Sequence, residues 1–465
     1  TGFEPSNEVK MLYGLLRVKT PQEFIDAVSH FGVGAQNWVY GDIDGHIAYA
    51  AFCKIPVRQC LEEVEDTMHP SFLPYPGNGE CEWNGMVPLE ELPQAIDPER
   101  GYIFTANGDA LGYTLDGDPY NDATYQGYMF APGLRVARIK ELLAEKVAAG
   151  PLTVADMQAV QADARSPLGA RLTPYLLAAI TAANDAKAGA EGSDPTLAAF
   201  ADDPRLANVA TYLGDWSFTA AAGALPETTE AEAADAIATS IFNVWLLNVS
   251  QEVLGDKMES PYDIQFQVRF LLRLFETPEN LDTYSADLGD SLLWDNTTTE
   301  EVESRNYVML VALQKALDFL ADPELVGVAA EGGFGTDDMT QWHWGKLHTL
   351  KMRHALGGKY NIPSDETFPE GYPRHGDNFC VDAANAGLSD TNFTYSSGAA
   401  IRNVYIMDAD NPRAQTVIPG GEDSAVGRPH YADQFELWKV NQTHPLHSQV
   451  EDLLPDAETC FILEP

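Results

Sequence analysis

Two periodicities share this chain, and their order constrains its fold more than any composition figure does. Residues 36–49 read as strand, tight turn, strand: Val39, Ile43, Ile47 and Tyr49 supply β-formers around Asp44-Gly45, a strong hairpin signal. From about residue 131 to 325 the apolar residues recur with the helical period instead, in Ala- and Leu-rich stretches at 134–148, 153–162, 170–186, 230–254 and 299–321. Beyond about 376 short extended segments return, at 378–383, 400–407 and 415–418, each bounded by Gly, Pro, Asn or Asp. Strands at both ends with helices between them predict an α+β chain, one sheet system interrupted by a helical insertion. The expected regions are 1–130 (hairpin and long loops), 131–360 (helical insertion) and 361–465 (returning strands and a C-terminal helix).

Two helices are expected ahead of the hairpin. In 7–17, Val9, Leu12, Leu15 and Leu16 fall at helical spacing, with Ser6, followed by Glu8, as the cap. In 21–31, Thr20 caps, Pro21 occupies the first turn, and Phe24, Ile25, Val28 and Phe31 face inward. Residues 53–130 are rich in Pro, Gly and acidic groups and predict an ordered excursion with short strands such as 102–106. Loops are expected at 187–195 and 221–229.

With 465 residues, 45% of them hydrophobic and 10% aromatic, the chain can bury a sizeable core. A formal net charge of -42 repels phosphates, which excludes nucleic acid as a partner and reads as a solvated acidic surface. No apolar run reaches the roughly 18 residues of a membrane-spanning helix. The five cysteines, Cys53, Cys60, Cys81, Cys380 and Cys460, show neither a CxxC pair nor metal-ligand spacing.

Few residues invite chemistry. Asn37 stands where the first strand begins, and a rigidly held amide N–H stabilises the oxyanion of an acyl-transfer intermediate; an Asn satisfying a turn on a surface hairpin gives the same local pattern. Arg58, in Ile-Pro-Val-Arg, is either a site residue or one half of a surface pair with Glu62 or Glu63. His343, His348 and His354 cluster near Trp342 and Trp344, but spacings of five and six do not share a helical face, so they read as structural and not as metal ligands. His430-Tyr431-x-Asp433-Gln434 suggests a His/Asp catalytic pair. Asp116, Asp118, Tyr120 and Asp122 alternate like the opening of a calcium loop, yet Gly127 stands where the closing Glu belongs, which leaves an acidic loop. Ser424 lacks the glycine-flanked elbow of a hydrolase serine.

The ordered series Asn37-Trp-Val-Tyr40, Asp42-x-x-Gly45-x-Ile47-x-Tyr49 and Ile55-Pro-Val-Arg58 resembles the large chain of the penicillin amidase family of N-terminal-nucleophile amide hydrolases. The resemblance continues through Glu82-Trp-Asn-Gly85, Gly101-Tyr-Ile-Phe-Thr-Ala-Asn107, Arg135-Val-Ala-Arg138 and Trp342-His-Trp-Gly345 to His430-Tyr-Ala-Asp-Gln434. It implies an αββα sandwich, two stacked antiparallel sheets between helical layers. It also implies that Asn37 is the side-chain oxyanion donor and Arg58 an active-site arginine, and that His430 and Asp433 serve packing and hydrogen bonding instead of catalysis. The nucleophile it implies is an N-terminal serine, exposed by self-cleavage, whose α-amine acts as base. Substrates on that footing are β-lactam side-chain amides, acyl-homoserine lactones or similar acylated metabolites. No cofactor is implied; a structural calcium occurs in the family, with no ligands assignable here. Export to the periplasm or beyond is implied too, where a Cys53–Cys60 bridge would staple the loop carrying Arg58 and isolated thiols are the equal alternative.

The front departs from the family pattern. The chain begins Thr1-Gly2-Phe3-Glu4-Pro5 and reaches the hairpin by Gln36, whereas the family's serine lies much further upstream. The expectation is therefore that the small chain and the opening of the large chain are missing partners. These 465 residues alone would then be inactive and would expose sheet edges prone to pairing. Two alternatives remain. Thr1 could itself be an N-terminal nucleophile, against which the helical pattern of 8–17 stands, since such a residue should open a buried strand. Or the chain belongs to a non-catalytic homologue that kept the fold for binding or scaffolding.

Overall fold

Thr20 and Pro21 start the second of two short helices, α1 (Glu8–Leu15) and α2 (Pro21–Val28), and the Thr20 hydroxyl accepts the Glu23 N–H at 3.2 Å. The computed structural model describes residues 6–58, 77–112, 130–258, 264–322, 333–387, 392–410 and 413–457. Thr1, Cys60, Cys460 and the acidic loop at 116–127 lie outside the described residues, as does the Arg58 side chain. Ser6 is not the cap of α1: Asn7 holds that position without a side-chain bond.

The chain divides into two compact units, one of residues 1–154, 404–415 and 445–465, the other of 155–403 and 416–444. In the first, β1 (Gln36–Gly41) and β2 (Ile47–Phe52) pair antiparallel, with Asn37 opposite Ala51 and Val39 opposite Tyr49. Further on, β3 (Pro56–Arg58) pairs with β4 (Trp83–Met86), while β5 (Gln94–Ile96) joins the free side of β2 to give the order β1-β2-β5. Alternation puts Ala48, Ala50 and Phe52, with Trp38 and Tyr40, on one face, where they close a core with Met11, Phe24, Ile25 and Val28 of the two helices. Phe24 stacks on Tyr40 at 5.3 Å and Phe31 meets Trp38 edge-on at 5.5 Å. On the opposite face Val39 remains 61% exposed. The unit also carries α3 (Leu134–Ala149).

The second unit is built on helices α4 (Val154–Gln161), α5 (Pro167–Ala188), α6 (Leu206–Gly214), α7 (Glu230–Leu254), α8 (Ile264–Glu276) and α9 (Arg305–Ala321). Every residue of α7 from Ala236 to Leu247 is buried, the mark of a central helix packed on all sides. A capping box of Thr229 and Glu232 starts it, and Trp245 Nε1 donates to the Met309 carbonyl of α9 at 3.2 Å. A smaller cluster gathers Leu350, Tyr372, Val417, Phe435 and Trp438.

Several expected elements differ. Residues 102–105 join no sheet; Arg100 donates to the Tyr102 carbonyl at 2.8 Å and Arg135 to that of Ala106 at 3.3 Å, where strand partners would sit. The expected strand at 378–383 is irregular because Phe379 is left-handed (φ 76°) and the neighbouring polar side chains turn inward. Asn378 Oδ1 accepts the Ala386 N–H at 2.9 Å. Asp382 Oδ2 accepts from Arg374 (2.7 Å) and Asn441 (2.9 Å) and contacts His375 (2.8 Å), while Oδ1 accepts from Arg402 at 2.6 Å. These buried groups hold the Asp382 carboxyl far below the ordinary carboxylate range, although its own burial pushes the other way. The helix expected from 299 starts at Arg305, because Asn296, Thr299 and Glu303 spend their side chains on local turns first. Cys53 is a free thiol, so the Cys53–Cys60 bridge does not form; the disulfide is made by Cys81, with a partner outside the described residues.

Candidate active site

Asn37 owes its place to a tightly fixed hairpin. The Asp42 carboxylate accepts the N–H groups of Asp44 at 3.0 Å and His46 at 2.9 Å, and Gly45 takes the positive φ of 92° that the turn requires. Asp97 anchors the returning strand, accepting the Ile47 N–H at 2.9 Å and meeting His46 Nδ1 at 2.7 Å. That contact raises the His46 pKa, the hydrogen bond to Asp97 being the largest cause. On the helix side, Tyr40 donates its hydroxyl to Asp42 at 2.8 Å; burial first, and then that carboxylate, push its phenol to about 12.

With the register fixed, Asn37, Val39, Tyr49 and Ala51 share the face turned away from α1 and α2. There the Tyr49 hydroxyl donates to Asn37 Oδ1 at 2.6 Å. Burial raises the phenol's pKa and a hydrogen bond from Thr105 partly offsets it. Asn37 is exposed, and among the described residues nothing accepts from its Nδ2. The amide is thus held by its oxygen and offers its N–H groups outward. Arg58 closes the strand β3 of a different sheet, its backbone paired with Trp83, and its side chain lies outside the described residues. Thr105 leads into the Ala106-Asn107 corner, where Arg135 of α3 donates to Asn107 Oδ1 at 2.8 Å; two of the sequence motifs meet at this bond. Sequence reasoning passed over Tyr49, although period-2 alternation across a two-strand hairpin places it diagonal to Asn37.

Other reactive side chains are occupied. His348 is fully buried, stacked on Trp344 at 4.9 Å, with Nδ1 bonded to the Phe393 carbonyl at 2.7 Å; burial drops its pKa to about 4. Cys380 is buried against Asp377, and burial raises its thiol well above the ordinary value, so it is no nucleophile. Asp377 is itself raised to about 6 by burial. His430 Nδ1 meets Asp433 Oδ2 at 2.7 Å, and the Tyr431 hydroxyl donates to the Tyr360 carbonyl at 2.7 Å, a local hydrogen-bonded corner. No cluster of His, Cys, Asp and Glu suited to a metal occurs among the described residues.

Residues 1–453 match the penicillin amidase family profile. The chain belongs to the penicillin amidase family. This family member is similar to penicillin acylase 2 proenzyme of Pseudomonas sp. (strain SE83), 25% identical over 455 residues, which are 96% of this chain and 48% of that protein. It is similar to the acyl-homoserine lactone acylase QuiP of Pseudomonas aeruginosa as well, at 24% identity over 92% of this chain and 46% of that one. The penicillin amidase match thus spans about half the length of these relatives. Among solved structures, a thermostable penicillin G acylase from Alcaligenes faecalis superposes with a TM-score of 0.55 at 18% identity, covering 98% of this chain and 73% of that one. The fold is therefore the α+β fold of the N-terminal-nucleophile hydrolases. No helix among the described residues is long and apolar enough to cross a membrane.

Proposed function

We propose that these residues form the oxyanion-binding part of an acylase that cleaves linear N-acyl amides. In this reading a serine hydroxyl outside the chain attacks the amide carbonyl. Asn37 Nδ2 donates to the developing oxyanion, and the amine leaves with a proton. Water then releases the acid from the acyl ester. The observation that carries the reading is the Asn37 amide, held by its oxygen and free at Nδ2, in the motif shared with the family. Arg58 follows Asn37 in that motif series and is assigned to the surroundings of the nucleophile. The names of the relatives, penicillin and acyl-homoserine lactone acylases, make N-acylated β-lactams and homoserine lactones the first substrates to test. The accompanying polypeptide would supply the nucleophile and the acyl pocket. The Cys81 disulfide supports an exported, oxidising location.

The test uses the intact protein with any polypeptide that accompanies these residues. Asn37→Ala is expected to lower kcat on the preferred amide by about 10²–10³-fold with KM little changed. An unchanged kcat, or no amide turned over by the unsubstituted protein, overturns the reading.

A further inference from the structure

A side-chain amide works as an oxyanion donor only when the correct end faces the substrate. Oxygen and nitrogen are nearly alike in size, and a half-turn about the last torsion exchanges a donor for an acceptor that would repel the developing charge. An exposed asparagine in water samples both. Here one hydroxyl breaks the symmetry. Tyr49 lies diagonal to Asn37 across the β1–β2 register and on the same face, and its O–H points at Oδ1 from 2.6 Å. The Thr105 side chain lies beside the phenol and lowers its pKa, as a donor to the phenol oxygen does, which leaves the phenol's own proton for the amide. Thr105 stands two residues before Asn107, which Arg135 holds at 2.8 Å, and that bond anchors the far end of the chain of contacts. Nothing among the described residues competes for Nδ2.

We propose that Tyr49 is a positioning residue: its hydroxyl fixes the orientation of the Asn37 amide, so that Nδ2 is already aimed before substrate arrives. The inference rests on the oxyanion reading of Asn37 and adds what keeps that group catalytically competent. A flip of the amide would cost the bond to Tyr49 and turn Nδ2, a donor, toward a hydroxyl that now donates to Oδ1.

Kinetics on the intact protein, with a penicillin and an N-acyl-homoserine lactone as probes, test it through a double-variant cycle. Tyr49→Phe keeps the ring and removes only the hydroxyl. It is expected to lower kcat about tenfold with KM unchanged, and to cause no further loss in an Asn37→Ala background. Thr105→Val is expected to give a smaller loss with the same dependence on Asn37, and it carries the test if Tyr49→Phe fails to fold. If Asn37→Ala lowers kcat while Tyr49→Phe and Thr105→Val do not, the positioning role is overturned and the oxyanion reading stands. An equal loss from Tyr49→Phe in both backgrounds also overturns it, because the hydroxyl would then act on the fold alone. If Asn37→Ala has no effect, the oxyanion reading falls first.

Discussion

A single imidazole shows how burial converts into pH dependence. His348 has no exposed surface, and burial lowers its pKa to about 4, against about 6.5 for a histidine in an unfolded chain. Between those two values the unfolded chain binds a proton that the native chain refuses, so the His348 contribution to stability is whole above about pH 6.5 and is lost as pH falls toward 4. The expected loss is on the order of 3 kcal/mol across that window. Denaturant titrations at several pH values should show the slope, and His348→Phe, which keeps a ring against Trp344, should flatten it. A slope identical in the variant would refute the assignment. Sequence spacing set the three histidines apart as a group but could not say that His348 is the buried one, because packing decides that. Asn37 stood out by its motif; that Tyr49, twelve residues on, bonds it required the strand register.

Among the elements, those with strong local signals were legible and those fixed by tertiary bonds were not. The Asp44-Gly45 turn, the Thr20-Pro21 start and the span of α7 all follow from short-range chemistry. The helices α6 and α8 lie in the tract read as helical but went unnamed, and 378–383 misled because its β-formers surround a left-handed Phe379 and the inward-turned Asp382. The capping box of α7 gives an element-level prediction. Thr229 Oγ1 accepts the Glu232 N–H at 3.2 Å, and Glu232 returns the favour by accepting the Thr229 N–H at 2.8 Å. Thr229→Ala should cost about 1 kcal/mol, near the upper end of the usual range if the buried helix cannot fray, measured by urea unfolding. Thr229→Ser should recover most of it.

At the scale of the whole molecule, charge opposes exposed apolar surface. The chain carries 70 acidic and 28 basic side chains, so like-charge repulsion keeps copies apart at low salt. Yet Val9, Leu12, Tyr13 and Leu16 of the first helical segment are 82%, 55%, 60% and 83% exposed at helical spacing, and Val39 of the β1-β2-β5 sheet is 61% exposed. These residues produced alone should therefore associate as salt screens the repulsion, and Leu12→Glu with Leu16→Glu should suppress that association in light scattering without changing far-UV circular dichroism. Association unaffected by both changes would place the contact elsewhere. The sulfur chemistry points to an order of events. Burial raises the pKa of both Cys53 and Cys380, so in the native state neither supplies the thiolate that shuffling needs, and the bridge at Cys81 has no intramolecular rival in these two. Thiol exchange at Cys81 through these two cysteines is then expected only when the chain around them unfolds.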